Sequence, residues 1–184
     1  MAGFIIPKDF NSPTFGRLSW DESLAKMVAF MGTDTKASYE VIIGTDSQAQ
    51  SGTADFVCAL IVHKKGRGGV YFWSRQTIVN LHSLKARIWQ EALISLTLAE
   101  KLVKDFGDIG LFDGSTRSES TLLTIDPEHR RRIDLNLEIH VDVGPNGPTR
   151  EMISEIVAMI RANGFKVATK PDSWGASHVA DRHV

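Results

Sequence analysis

The sequence predicts an α/β domain in which a mixed five-stranded sheet carries helices on both faces. Three strand-like runs follow one another over short polar connections, whereas the later strands alternate with helices. Short connections join antiparallel neighbours and parallel neighbours need a long crossover, so the first three strands are predicted to form a meander. Right-handed crossovers then place the fourth strand beside the first.

The composition is that of a globular protein with one substantial core. The chain has 184 residues, of which 42% are hydrophobic and 23% charged. It contains no apolar run of the roughly 18 residues that span a bilayer, and its start lacks the features of a signal peptide. A single cysteine, Cys58, fits a reducing compartment. We expect a cytoplasmic protein with no membrane partner. The net charge of −1 excludes a surface coated in positive charge, but it allows a local basic patch.

Residues 1–35 are predicted to form an arm and a helix that pack on a domain of residues 36–184. Ser19 can cap the helix, and Glu22 stands three residues later as its capping-box partner. Gly32 is a plausible end of the helix. Apolar residues follow the cap at helical spacing, namely Leu24, Met27, Val28 and Met31.

The meander is predicted from strands at 39–43, 56–63 and 70–78. Asp46 follows the first of them, in the run Val41 to Gln48. A carboxylate out of water is costly unless it is paired, so Asp46 needs a partner. It is either a turn residue that accepts a nearby backbone N–H or part of a functional site.

A long helix is predicted over 83–106, with an apolar arc that repeats at helical spacing. Glu91 falls at the edge of this arc, whereas Glu100 projects well away from it. Glu91 is therefore the helix acid that we expect to face the sheet. The alternative is a boundary residue with its carboxylate in solvent.

A fourth strand at 135–144 alternates apolar and polar residues and carries Asp142 at its C-terminal end. Beside the first strand, it would bring Asp142 close to Asp46. Residues 107–132 have no clear assignment, and the arginines at 130–132 are typical of a solvated face or of a phosphate contact. A helix ending at Gly164, a short strand and a terminal helix complete the chain.

Four acids therefore stand in suggestive places: Asp46, Glu91, Asp142 and, on the terminal helix, Asp181. Mg²⁺ and Mn²⁺ prefer oxygen ligands, and a pair of such ions can promote phosphodiester cleavage by water. His178 lies three residues before Asp181 and would share its helix face, as a ligand partner or as one half of a surface pair. Asp172 is an alternative fourth acid, or a simple helix cap.

Three stretches resemble the YkuK-like family of the ribonuclease H-like nuclease superfamily. They are IGTDS at 43–47, HVDVGPNG at 140–147 and KPDSWGASHVADRH at 170–183. The resemblance covers residues 36–184, and its terminal motif is the most specific part. It implies the ribonuclease H-like fold.

The resemblance also implies roles for the acids. Asp46 and Asp142 would bridge the metal ions, with Glu91 as the helix acid and Asp181 as the fourth ligand. His178 and Asp181 are similar to the His-x-x-Asp of Holliday-junction resolvases of the RuvC type.

A metal-dependent nuclease is therefore expected, with Mg²⁺ or Mn²⁺ as cofactor. Its partner would be RNA, DNA or a hybrid, and a homodimer is possible, as in resolvases. Basic side chains available for backbone contacts are Lys85, Arg87, Arg130, Arg131, Arg132 and Arg182. The main alternative is a non-catalytic nucleic-acid-binding or scaffold module on the same fold. Nucleotide phosphoryl transfer is a weaker one. The run Asp142-Val143-Gly144 loosely resembles an actin-like phosphate loop, but those ATPases need two such domains facing each other, and 184 residues supply only one.

Overall fold

A computed structural model describes residues 5–50, 52–79, 81, 83–108, 121–126, 131–144, 150–180 and 182–183. Its strands are β1 (Asp9–Ser12), β2 (Gly16–Ser19), β3 (Ser38–Gln50), β4 (Thr53–Lys64), β5 (Gly69–Val79), β6 (Thr121–Asp126), β7 (Arg131–His140) and β8 (Lys166–Ala168). Its helices are α1 (Trp20–Gly32), α2 (Leu84–Asp108), α3 (Ile153–Ala162) and α4 (Gly175–Ala180), with a short 3₁₀ turn (Arg150–Met152) before α3. Among these residues, no helix is long and apolar enough to cross a membrane.

The strands form one mixed sheet in the order β2-β1-β5-β4-β3-β7-β6, and β8 also pairs with β7. The predicted meander is confirmed, because β4 is antiparallel to both β3 and β5. The predicted parallel neighbour is confirmed too, since β7 pairs with β3 from Ser38↔Asp134 to Gly44↔His140. The predicted number of five strands is wrong, because the described residues already form a sheet of eight strands. The additional strands β1, β2 and β6 lie where the sequence has no clear apolar–polar alternation.

The N-terminal helix begins as predicted. Ser19 caps α1 through its side chain, which accepts the Glu22 backbone N–H at 3.3 Å, and the Glu22 carboxylate accepts the Ser19 N–H at 2.7 Å. The segment predicted as an arm contains the β1–β2 hairpin, which meets β5 at the single pair Asn11↔Trp73. The hairpin therefore extends the sheet beyond the meander.

Alternation along β3 separates two faces of the sheet. Val41 and Ile43 belong to the main core, which includes buried residues of α1, α2 and α3. Ile42 points the other way and packs with Val179 of α4. We call these the α2 face and the α4 face, and the prediction of helices on both faces is confirmed.

The strand that carries Asp46 is longer than predicted. It does not stop at Ile43 but continues to Gln50, because β4 pairs with it along its whole length, including Asp46↔Val57. Asp46 therefore lies within the strand instead of after it. Strand β7, in contrast, ends at His140, just before Asp142.

Candidate active site

The two strand acids are brought together by the register of β3 and β7. Gly44 pairs with His140, and Asp46 and Asp142 each lie two residues further along. Two backbone bonds keep the β7 chain extended past its end, Val141 N to Ala168 O at 3.0 Å and Lys170 N to Val143 O at 2.9 Å. Parallel neighbours are about 4.8 Å apart, so the two acids start from adjacent backbone positions.

Both acids belong to the α4 face. Val141 and Val143 are buried in the main core, which leaves Asp142 between them on the opposite face. The same alternation assigns Asp46 to that face, because its neighbours Thr45 and Ser47 both contact α2. The predicted adjacency of Asp46 and Asp142 is therefore present at this end of the sheet.

Asp142 already faces a cation. The Lys170 ammonium lies 2.8 Å from Asp142 Oδ1, although the contact lacks hydrogen-bond geometry. The Lys170 side chain is 53% exposed, whereas that of Asp142 is 22% exposed. The Lys170 side chain can therefore move away from Asp142 without disturbing the core. Its charge shows that the space beside Asp142 Oδ1 favours a cation.

Glu91 approaches the same region from α2, as predicted. It is only 8% exposed, and its Oε1 accepts a hydrogen bond from Ser47 Oγ at 2.6 Å. Burial raises the pKa of Glu91 to about 8, with the charges of Asp46 and Asp142 adding to the rise. The Ser47 hydrogen bond and the Arg87 charge oppose this rise without cancelling it. Without a bound metal ion, the Glu91 carboxyl group is therefore mostly protonated at pH 7.

Ser47 links the two faces, although the sequence did not mark it as a site residue. Its backbone N–H donates to Asp46 Oδ1 at 2.8 Å, while its hydroxyl donates to Glu91. Arg87, four residues before Glu91 on α2, donates to the Ser47 carbonyl at 3.0 Å. One guanidinium nitrogen of Arg87 is thus engaged within the protein, and a contact of Arg87 with a nucleic-acid backbone stays a prediction. The sequence feature that could have identified Ser47 is its position directly after Asp46, as a small polar residue.

A second contact fixes α2 along β3. The hydroxyl of Ser95, one turn after Glu91, donates to Thr45 Oγ1 at 2.9 Å, and both residues are 1% exposed. Thr45 and Ser47 are two apart on the strand, and Glu91 and Ser95 are four apart on the helix. The distance between alternate residues of β3 therefore matches the rise of one turn of α2. The two hydrogen bonds fix the position of Glu91 along β3.

The terminal helix docks on His140. The Gly175 N–H donates to His140 Nδ1 at 3.0 Å, and the His140 side chain is 2% exposed. A Cβ at Gly175 would lie 2.6 Å from Ile42 Cγ2, so only glycine lets α4 approach this closely. His140 and Gly175 are therefore positioning residues that the sequence did not reveal.

The predicted residues of the terminal motif are placed only in part. His178 lies on α4, is exposed, and its Nδ1 is 2.9 Å from the Trp174 carbonyl oxygen. Asp181 lies outside the described residues. Asp172 is exposed and lines a cavity of about 580 Å³ with His140 and Trp174, which includes neither Asp46 nor Asp142.

The three carboxylates are the type of ligand that Mg²⁺ and Mn²⁺ prefer. Asp46, Glu91 and Asp142 are oxygen donors. Burial first, and then the charges of Asp46 and Asp142, raise the pKa of Glu91, and a bound cation would lower it. Nevertheless, the described part of the chain contains no group of three or more His, Cys, Asp or Glu side chains placed to hold a metal ion.

Comparison with known proteins identifies the family to which the chain belongs. The model of the ribonuclease H-like family matches residues 22–184. The chain belongs to this family. It is also 29% identical to the uncharacterized protein YkuK of Bacillus subtilis (strain 168) over 167 residues, which cover 90% of this chain and 91% of YkuK. The YkuK-like, ribonuclease H-like assignment expected from the motifs is confirmed.

Two solved structures show weaker similarity. RNase H1 from the halophilic archaeon Halobacterium salinarum NRC-1 is 13% identical with a TM-score of 0.35, covering 77% of this chain and 98% of that one. The N-terminal RNase H domain of rv2228c from Mycobacterium tuberculosis is also 13% identical, with a TM-score of 0.33 and coverage of 79% and 93%. The family assignment does not depend on these two similarities.

Proposed function

We propose that this protein is a metal-dependent nuclease that hydrolyses phosphodiester bonds in RNA or DNA. The observation that carries the proposal is the shared register of Asp46 and Asp142, with the buried Glu91 carboxylate linked to Asp46 through Ser47. Membership of the ribonuclease H-like family supports the same class of reaction. Three carboxylates from different parts of the fold suit attack by water.

Asp46, Glu91 and Asp142 would hold Mg²⁺ or Mn²⁺, with Asp181 as a proposed fourth ligand. Such an ion supplies Lewis acidity and makes bound water more acidic. The protein's own part is to orient the carboxylates: Ser47 fixes Glu91 and Asp46 at once.

His178 has a separate proposed role. We propose that its imidazole, which is exposed on α4, moves a proton during the reaction. The buried carboxylate of Glu91 cannot exchange protons with solvent as readily.

A non-catalytic nucleic-acid-binding module is the second candidate. The ion pair between Lys170 and Asp142 favours it, because a resident ammonium would neutralise the acid without any metal. The two candidates differ in one respect that can be measured. A nuclease takes up divalent metal through its carboxylates, and a binding module on this fold does not.

The test is cleavage of labelled hybrid, duplex, single-stranded and branched substrates in Mn²⁺ or Mg²⁺. Wild-type protein should cleave at least one of them, and Asp46→Asn should lower the rate by about 100-fold or more, since a lost charge-stabilising group typically costs 10²–10³ in rate. The matched control is Asp21→Asn, which makes the same change at an exposed position on α1. Absence of cleavage of every substrate, or equal rates for wild type and Asp46→Asn, would refute the proposal.

A further inference from the structure

A groove opens where the N-terminal hairpin leaves the sheet. Strands β1 and β5 pair at Asn11↔Trp73. Residues 5–9 on one side and 73–76 on the other line a groove of about 840 Å³, which we call the β1–β5 groove. The family match begins at residue 22, so the hairpin wall of the groove lies outside it.

The β1–β5 groove concentrates positive charge. Its lining includes four basic side chains, Lys8, Arg17, Arg75 and Arg182. The one acid among the described lining residues is Asp9, whose carboxylate is 2.6 Å from Arg17. The whole chain has a net charge of −1, so this excess of cations is a local feature that attracts a polyanion.

Sheet register aligns the groove with the candidate active site. Asp46 pairs with Val57 on β4, and Val57 pairs with Arg75 on β5. Paired residues on neighbouring strands share a face, so Arg75 and Asp46 lie in one row on the α4 face. Two strand spacings separate them, which is about 10 Å.

The C-terminal residues contact the side of the groove that carries Arg75. The His183 ring stacks on Trp73 at 4.0 Å between centroids and 10° between planes. Arg75 donates a hydrogen bond to the His183 carbonyl oxygen. Arg182, the residue before His183, lines the groove together with Arg75, and Lys8 lies on the hairpin side.

We propose that the β1–β5 groove binds the phosphate backbone of the nucleic acid to one side of the bond that is cleaved. This inference rests on the proposed nuclease function. The cations line both walls instead of meeting at one point, which suits a chain that carries one charge per nucleotide. Because Arg75 and Asp46 lie in one row, a polyanion bound in this groove would be able to continue toward Asp46.

The test measures binding without cleavage. Fluorescence anisotropy of a labelled 20-nucleotide single strand and its duplex is recorded in EDTA at 50–200 mM salt. The variant Lys8→Ala/Arg17→Ala removes two groove cations. The matched control, Lys104→Ala/Arg161→Ala, removes two exposed cations from α2 and α3. Circular dichroism verifies that both variants are folded.

The groove variant should bind about 10-fold more weakly than wild type, and the slope of log affinity against log salt should fall by about 1.4 for the single strand and 1.8 for the duplex. The control should bind like wild type. Equal binding by groove variant and control would overturn the inference, as would polyglutamate that binds the groove as tightly as the oligonucleotide.

The two proposals fail in different ways. Cleavage by wild-type protein with unchanged rates and affinity in the groove variant would refute the groove alone. Groove-dependent binding with no cleavage of any substrate would refute the nuclease, and with it the position of the groove beside a cleaved bond, but not nucleic-acid binding by the groove. A wild-type protein that binds no nucleic acid would refute both.

Discussion

Replacing Glu91 by glutamine should change how the stability of the protein depends on pH. Glu91 has a pKa of about 8 in the folded protein, against 4.5 for an ordinary glutamate. Between these two values the folded chain holds a proton that the unfolded chain has lost. The free energy of unfolding therefore falls as pH rises through this range, and the penalty is complete above pH 8.

The size of the effect follows from the two pKa values. Each pH step inside the range costs about 1.4 kcal/mol, so the full penalty approaches 5 kcal/mol. Glutamine keeps the shape of the protonated acid and cannot ionise. Glu91→Gln should therefore match wild type near pH 5 and exceed its free energy of unfolding by about 3–5 kcal/mol at pH 9.

The assay is urea unfolding of both proteins in EDTA at unit steps from pH 5 to pH 9. The difference between them cancels the other titrating groups. Ser95→Ala is the control on the same helix, since it removes the hydrogen bond to Thr45 but no ionisable group. Its difference from wild type should not vary with pH. A difference between wild type and Glu91→Gln that is also flat from pH 5 to pH 9 would refute the reasoning.

Three further predictions concern metal binding and the terminal helix. If Glu91 is a ligand, the Mn²⁺ affinity of wild type should fall about 10-fold per pH unit below pH 8, and calorimetry of Glu91→Gln should show a flatter profile. Lys170→Ala removes the cation that competes at Asp142, so its Mn²⁺ affinity should rise by about 2- to 5-fold, as expected for an exposed ion pair; an unchanged or lower affinity would contradict this. Gly175→Ala places a Cβ 2.6 Å from an isoleucine methyl group of β3, whereas Gly107→Ala meets nothing within 4 Å. Urea unfolding should show a loss of about 1–3 kcal/mol for Gly175→Ala alone, and equal stabilities for the two variants would exclude tight docking of α4.

Most of the central architecture was predictable because its signals are local. The capping box of Ser19 and Glu22, the apolar arc of α2 and the alternation in β7 each reflect one element's own periodicity. The crossover rule then placed β7 beside β3, and with it Asp142 near Asp46. Glu91 was found because its position on the arc depends only on helical geometry.

The remaining features depend on contacts between distant parts of the chain. Asp46 lies inside its strand because β4 pairs beyond the apolar run that marked the strand in the sequence. The β1–β2 hairpin joins the sheet through the pair Asn11↔Trp73. The short strands of the hairpin show no alternation of apolar and polar residues from which this pairing could be predicted. His140 and Lys170 acquire their roles only when the terminal segment folds back. These contacts have no periodic signature.

Isothermal titration with Mn²⁺ at pH 8 tests the central claim most directly. Wild type, Asp46→Asn, Asp142→Asn and the exposed control Asp21→Asn are compared after removal of metal by EDTA. Wild type and control should bind Mn²⁺ with the same affinity, and each site variant should lose at least about 10-fold, the smallest loss usual when a metal site is disturbed. Equal Mn²⁺ binding by all four proteins, or none by wild type, would contradict a metal centre built on Asp46 and Asp142.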